Sequence, residues 1–97
     1  MLSEVDRMLS VLTEAFRSSA TQIGDAYYFV TNRDFVPIHV VFSRSFLFSY
    51  SRANGTEGIK DIVDAVNLWM LETEATRPLH PYEEIEFADY ESYACDG

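Results

Sequence analysis

A chain of 97 residues can form one hydrophobic core and is too short for two. With 47% hydrophobic and 14% aromatic residues it buries enough surface to fold, which excludes the low-hydrophobicity route to disorder. The formal charge of -9 disfavours nucleic acid and anionic membranes as partners and favours basic surfaces.

That charge is unevenly placed. Residues 1–56 carry five acids (Glu4, Asp6, Glu14, Asp25, Asp34) against five arginines, whereas residues 57–97 carry eleven acids against Lys60 and Arg77. All of the net charge therefore lies in the second half. Cys95 is the only cysteine, so an internal disulfide and a four-cysteine metal site are both excluded, and a reducing compartment is the expectation. The opening "MLSEVDRMLS" interrupts its apolar residues with acids, unlike a secretory signal, and no run approaches about eighteen uncharged apolar residues. The expected location is the cytosol, the host cell's cytosol if a phage encodes the chain.

The first element in chain order is a helix, "SEVDRMLSVLTEAFRSSAT". Leu2, Val5, Leu9, Leu12 and Phe16 recur at three- and four-residue steps, with Met8, Val11 and Ala15 widening the stripe. Ser3 is placed to cap it, and Asp6 three residues on completes a capping box with the shorter acid.

After "QIGD" the pattern turns to rings and β-branched residues. "AYYFVT" and "PIHVVFS" read as strands joined by a hairpin loop in "NRDFV", and "FLFSYSR" reads as a third strand after a turn or bulge near Arg44 and Ser45. Alternation puts Tyr27, Phe29, Val40, Phe42, Phe46, Phe48 and Tyr50 on the core face. The opposite face then holds Tyr28, Val30, His39, Val41 and Leu47, less polar than a freely solvated sheet, and so open to cover by the tail or by a partner.

"ANGTEG" breaks the pattern, with Thr56 as a cap for a second helix, "IKDIVDAVNLWMLETEA". Ile59, Ile62, Val63, Val66, Trp69 and Met70 form its core stripe, and Glu57, Asp61 and Asp64 form an acidic stripe beside it, with Lys60 in reach of Glu57 or Asp64. Pro78 and Pro81 end the helix. "YEEIEFADY" fits either a fourth strand with Ile85 and Phe87 facing in or an irregular helix using Tyr82, Ile85, Asp89 and Tyr93. The layout is α-β-β-β-α. It makes an α+β domain over residues 1–81, a three-stranded antiparallel meander on two helices, followed by an acidic aromatic segment over residues 82–97.

No motif fixes a chemistry. No G-x-S-x-G, H-E-x-x-H or H-x-x-E-H pattern occurs, the acidic tail lacks the order of a calcium loop, and "NGTEG" is not followed by the lysine of a phosphate cradle. Cys95 lies among acids, which disfavour a thiolate, and reads as a surface thiol. Catalytic residues, metal and cofactor are accordingly all expected to be none.

The last seventeen residues carry six carboxylates and four rings without a lysine or arginine. If the segment is extended, Glu84 and Glu86 share a side roughly 6.6 Å apart, about two phosphate steps of a DNA strand. With Glu83, Asp89, Glu91 and the Glu57, Asp61, Asp64 stripe they would present a polyanion, and Tyr82, Phe87, Tyr90 and Tyr93 would supply apolar anchors. The expectation is a non-enzymatic inhibitor of a basic, nucleic-acid-binding protein. Phage anti-restriction and anti-CRISPR proteins and nuclease-immunity proteins share this size and charge logic, but no residue pattern places the chain in any such family. The alternative is a secretion or assembly chaperone or adaptor that binds through Tyr28, Val30, Val41 and Leu47, an arrangement that leaves a homodimer open.

Overall fold

A computed structural model describes residues 3–95. The order of elements is α1 (Glu4–Phe16), β1 (Thr21–Ile23), β2 (Ala26–Arg33), β3 (Val36–Ser43), α2 (Arg44–Asn54), a 3-10 turn (Thr56–Gly58), α3 (Ile59–Glu74), β4 (Glu83–Phe87) and α4 (Tyr90–Cys95). The strands form one sheet in the order β1-β2-β3-β4. β1, β2 and β3 are an antiparallel meander, and β4 joins β3 in parallel after the α2–α3 crossover. The chain is thus an α+β domain, with helices gathered on one face of a mixed sheet.

Helix α1 forms as its capping residues and spacing dictate. The Ser3 hydroxyl accepts from the Asp6 N–H at 3.1 Å and the Asp6 carboxylate accepts from the Ser3 N–H at 3.4 Å, closing the capping box. Val5, Met8 and Leu12 face the sheet and are buried. Arg17, at φ 51°, ends the helix, and the Ser18 hydroxyl then accepts from the Val30 N–H at 3.0 Å. A side chain thereby satisfies a β2 donor that the three-residue strand β1 is too short to reach.

The hairpin falls where the alternation places it. Tyr27 pairs with Phe42 and Phe29 with Val40, and these four residues are buried against the helices. The short strand β1, joined to β2 through Gly24 and Asp25, takes up "QI", which reads in sequence only as a break.

The segment after Ser43 departs from expectation. Residues 46–52 are not a third strand but lie within α2, because Ser43 ends β3 and at once caps a helix: its hydroxyl accepts from the Phe46 N–H at 2.9 Å. "FLFSY" carries two periods at once. The strand reading aligns Phe46, Phe48 and Tyr50; the helical reading aligns Phe46, Leu47 and Tyr50, and these last three are the ones buried. Leu47, expected on the open sheet face, is fully buried in the core instead. Phe48, expected in the core, faces outward, with the Arg52 guanidinium 5.5 Å from its ring centre one helical turn on.

β4 occupies the place beside β3 that a third meander strand would have taken. Ile85 pairs with Val40 and Phe87 with Phe42, so Phe87 stacks on Phe42 with ring centres 5.0 Å apart. The two readings of the C-terminal segment are both realised in succession, strand first and then helix. Tyr90 and Tyr93 of α4 pack edge-on against Phe46 and Tyr50. The core is therefore an aromatic stack that runs through Phe29, Phe42, Phe46, Tyr50 and Phe87. Thr56 makes no capping bond. Gly55, at φ 65°, precedes the 3-10 turn, and neither that turn nor α3 has a side-chain cap.

Candidate functional site

Helix α3 lies under β4, and α4 folds back beside them. Between these elements is a groove of 510 Å³ lined by Ala65 and Trp69 of α3, Ile85, Glu86 and Phe87 of β4, and Ala88, Asp89, Ser92 and Tyr93 beyond it. The helical period explains the α3 side: Asp61, Ala65 and Trp69 follow at four-residue steps along one line. Among the described residues β4 pairs only with β3, which leaves its other edge unpaired beside the groove. The floor is apolar and aromatic, the rim carries Glu86 and Asp89, and among the described residues no lysine or arginine lines it.

Asp89 is held by its own turn. One of its carboxylate oxygens accepts from the Glu91 N–H at 3.0 Å and the other from the Ser92 hydroxyl at 3.1 Å. Near the other end, burial raises the Tyr93 hydroxyl above the ordinary tyrosine range, with the Asp61 carboxylate adding to the shift. Tyr50, deeper still, is raised further, first by burial and then by Tyr93 and Asp61, while its hydroxyl donates to the Gly58 carbonyl at 2.6 Å. Asp61 is exposed to solvent, and its charge acts on both tyrosines.

The twelve residues selected from sequence fall into three groups. Glu84, Glu86, Asp89, Glu91, Glu57, Asp61 and Asp64 are exposed, and the first two share the open face of β4 at the expected strand pitch. Tyr82 is exposed as well. Phe87, Tyr90 and Tyr93 spend their rings on the core, Phe87 wholly and the two tyrosines in part. Glu83 points to the helical side, where Arg77 grips it with both guanidinium ends at 2.7 and 2.8 Å. That contact lowers the Glu83 pKa, with burial working partly against it.

Lys60 makes no ion pair among the described residues; the two ion pairs there are Arg77–Glu83 and Arg33–Glu74. Trp69, expected wholly in the core, is half-buried and forms part of the groove floor. The core-stripe reading missed its place on the Asp61–Ala65 line, which the four-residue helical step also carries. Among the described residues no group of three or more His, Cys, Asp or Glu side chains is placed to hold a metal ion. The Cys95 thiol, Asp96 and the Leu2 position of the α1 stripe lie outside the described residues.

Two further concavities exist. One, of 670 Å³, lies between the starts of α1 and α2, with Glu4, Asp25 and Arg44 on its walls, so acids and a cation mix there. The other, of 370 Å³, lies on the open face of the sheet among Ile23, Tyr28, Val30, His39 and Glu84. Among the described residues no helix covers that face, and Tyr28, His39 and Tyr82 form a row of ring contacts across it. No helix of the described residues is long and apolar enough to cross a membrane. Comparison with protein-family models, with curated proteins and with solved structures finds no match.

Proposed function

We propose that this chain is a non-enzymatic binding protein for a basic partner, with its carboxylates standing where a nucleic-acid-binding groove expects phosphates. The observation that carries the reading is the acid-rimmed, aromatic-floored groove between α3, β4 and α4, in the half of the chain that holds all the net charge. An arginine or lysine side chain suits it: the methylene stem lies on Trp69 and Tyr93, and the charged head meets Glu86 and Asp89. The bare attraction of such a pair at about 4 Å is about 1 kcal/mol in water and about 4 kcal/mol near a protein surface, of which a solvent-exposed pair keeps about 0.2 to 1 kcal/mol, so seating on the apolar floor decides the affinity. Glu84 and Glu86 continue the acidic row along the strand, and Asp61, Asp64 and Glu57 continue it along the helix.

Trp69 is the only tryptophan and therefore reports on the groove directly. Titration with an arginine-rich peptide should shift its emission saturably, and the affinity should fall as salt rises from about 50 to about 300 mM. Replacing Glu86 and Asp89 by Gln and Asn should weaken binding at least tenfold, while the matched Glu4→Gln and Glu14→Gln pair should change it little. Equal losses from the two pairs would reduce the groove to mere net charge and overturn the reading. Displacement of DNA from a basic nucleic-acid-binding protein by the intact chain would extend the same test to mimicry.

A second reading rests on the sheet face away from the helices, where Tyr28 and Val30 remain partly exposed, whereas Leu47 is removed to the core and Val41, expected on this face, is only 5% exposed. A chaperone or adaptor would bind an apolar segment there. Its signature is binding that persists at high salt and fails in Val30→Asp.

A further inference from the structure

The groove between α3, β4 and α4 opens onto the edge of a strand. Ile85, Glu86, Phe87, Ala88 and Asp89 line it in unbroken succession. Side chains of a strand alternate between faces, and here Ile85 and Phe87 turn to the helices while Glu86 turns to the open face. A concavity that meets all three therefore runs along the backbone between the two faces. Among the described residues β4 pairs only with β3, so every second residue of Glu83–Phe87 directs its N–H and C=O into that space. The strand contains no proline, and its register with β3 runs without a bulge from Glu83 to Phe87, which makes the edge a regular template.

Charge decides what can lie on that template. A second copy of β4 laid alongside would set Glu84 and Glu86 against the same carboxylates with Cβ atoms about 5 Å apart, which opposes self-pairing. Exposed Asp89 and Glu91 extend the acidic character beyond the strand. Among the described residues near β4, Arg77 is committed to Glu83, His39 pairs with Glu84 from the β3 side, and His80 precedes the strand. Lys60 of α3 does not line the groove. The edge is therefore closed to an acidic strand and open to a basic one.

We propose that an extended, basic segment of a partner protein adds to β4 as a fifth strand of the sheet. This rests on the reading of the groove as a site for a basic partner and gives that partner its conformation. Alternate side chains of the added strand fall beside Glu84 and Glu86, which stand about 6.6 Å apart, the same two-residue pitch as the added strand itself. The side chains between them turn over Ala65 and Trp69, where an arginine stem or a valine is covered and Asp89 stands at the rim. A helical partner segment cannot do the same, because its backbone groups are already paired and would leave the β4 edge unmet.

The probe is a capped peptide of alternating arginine and valine, titrated onto the full chain with Trp69 emission as the readout. Saturation should slow amide exchange at alternate residues of Glu83–Phe87 at least tenfold and leave Thr21–Ile23, the opposite edge of the sheet, unchanged. N-methylation of every second peptide residue, in one of the two frames, should weaken binding at least tenfold, because a methylated amide cannot donate to β4. Binding that needs Glu86 and Asp89 but slows no β4 amide and ignores N-methylation in both frames would overturn strand addition and leave the side-chain reading of the groove standing. A peptide that does not bind, or binds equally well after Glu86→Gln with Asp89→Asn, would overturn both. Slowed exchange at β1 instead would move the added strand to the other edge, and β4 protection that rises with the concentration of the free chain would make the occupant a second copy; either result overturns the proposal.

Discussion

Replacing Phe87 by alanine tests whether the acidic C-terminal segment belongs to the fold. Phe87 is 7% exposed, stacks on Phe42 at 5.0 Å, and touches the rings of Phe46 at 5.4 Å and Tyr93 at 5.8 Å. Truncating a buried phenylalanine costs about 3 to 5 kcal/mol, and each ring pair adds about 0.5 to 1.5 kcal/mol beyond area burial. The upper part of the first range, about 4 to 5 kcal/mol, is therefore expected, against a total stability of about 5 to 15 kcal/mol for a domain. A chain ending at Pro81 loses this ring, the whole of β4 and the Tyr90 and Tyr93 contacts, and should not fold stably. Urea denaturation followed by Trp69 fluorescence measures the first loss, and the absence of a cooperative transition would show the second. A midpoint shift worth less than about 1 kcal/mol, with unchanged slope, would mean that β4 is only laid against the sheet. It follows that removal of the segment cannot separate binding from folding, whereas substitutions at Glu86 and Asp89 can.

Ser43→Ala should cost about 1 to 2 kcal/mol, because one hydroxyl both caps α2 and donates to the Ala88 carbonyl at 2.9 Å; thermal melts read the loss. Gly58→Ala should also destabilise, by about 1 to 3 kcal/mol, since an added methyl would lie 2.8 Å from the Tyr50 hydroxyl and 2.9 Å from Asn54 Cβ, and the buried Tyr50 ring cannot swing away. Alkaline pH should unfold the protein: Tyr50 and Tyr93 are raised in the folded state, so their contribution is intact below the ordinary tyrosine value near 10 and is lost as pH rises above it. Tyr50→Phe should blunt that decline while costing about 1 kcal/mol at neutral pH through the lost bond to the Gly58 carbonyl, and denaturation curves at pH 7 and above pH 10 check both. Trp69→Ala should cost less than a fully buried tryptophan would, below about 3 kcal/mol, and should weaken capture of the arginine-rich peptide as well.

Periodicity by itself determined α3 and the β2–β3 hairpin, and periodicity with capping determined α1. Each rests on contacts between near neighbours in sequence: the Ser3–Asp6 box, the apolar stripes, and alternating residues across a two-residue turn. The acidic second half and the shared side of Glu84 and Glu86 were equally legible, since charge and strand pitch belong to the chain. The identity of residues 46–52 was not, because "FLFSY" satisfies a strand period and a helix period together. The Ser43 cap and the occupation of the β3 edge by β4 broke that tie. The order β1-β2-β3-β4 depends on a residue near the end of the chain, Phe87, reaching Phe42 across two intervening helices, a pairing that local pattern does not encode. The groove has the same origin. Its α3 and β4 walls come from residues sixteen or more positions apart, so only the packed tertiary structure set Trp69 beside Glu86.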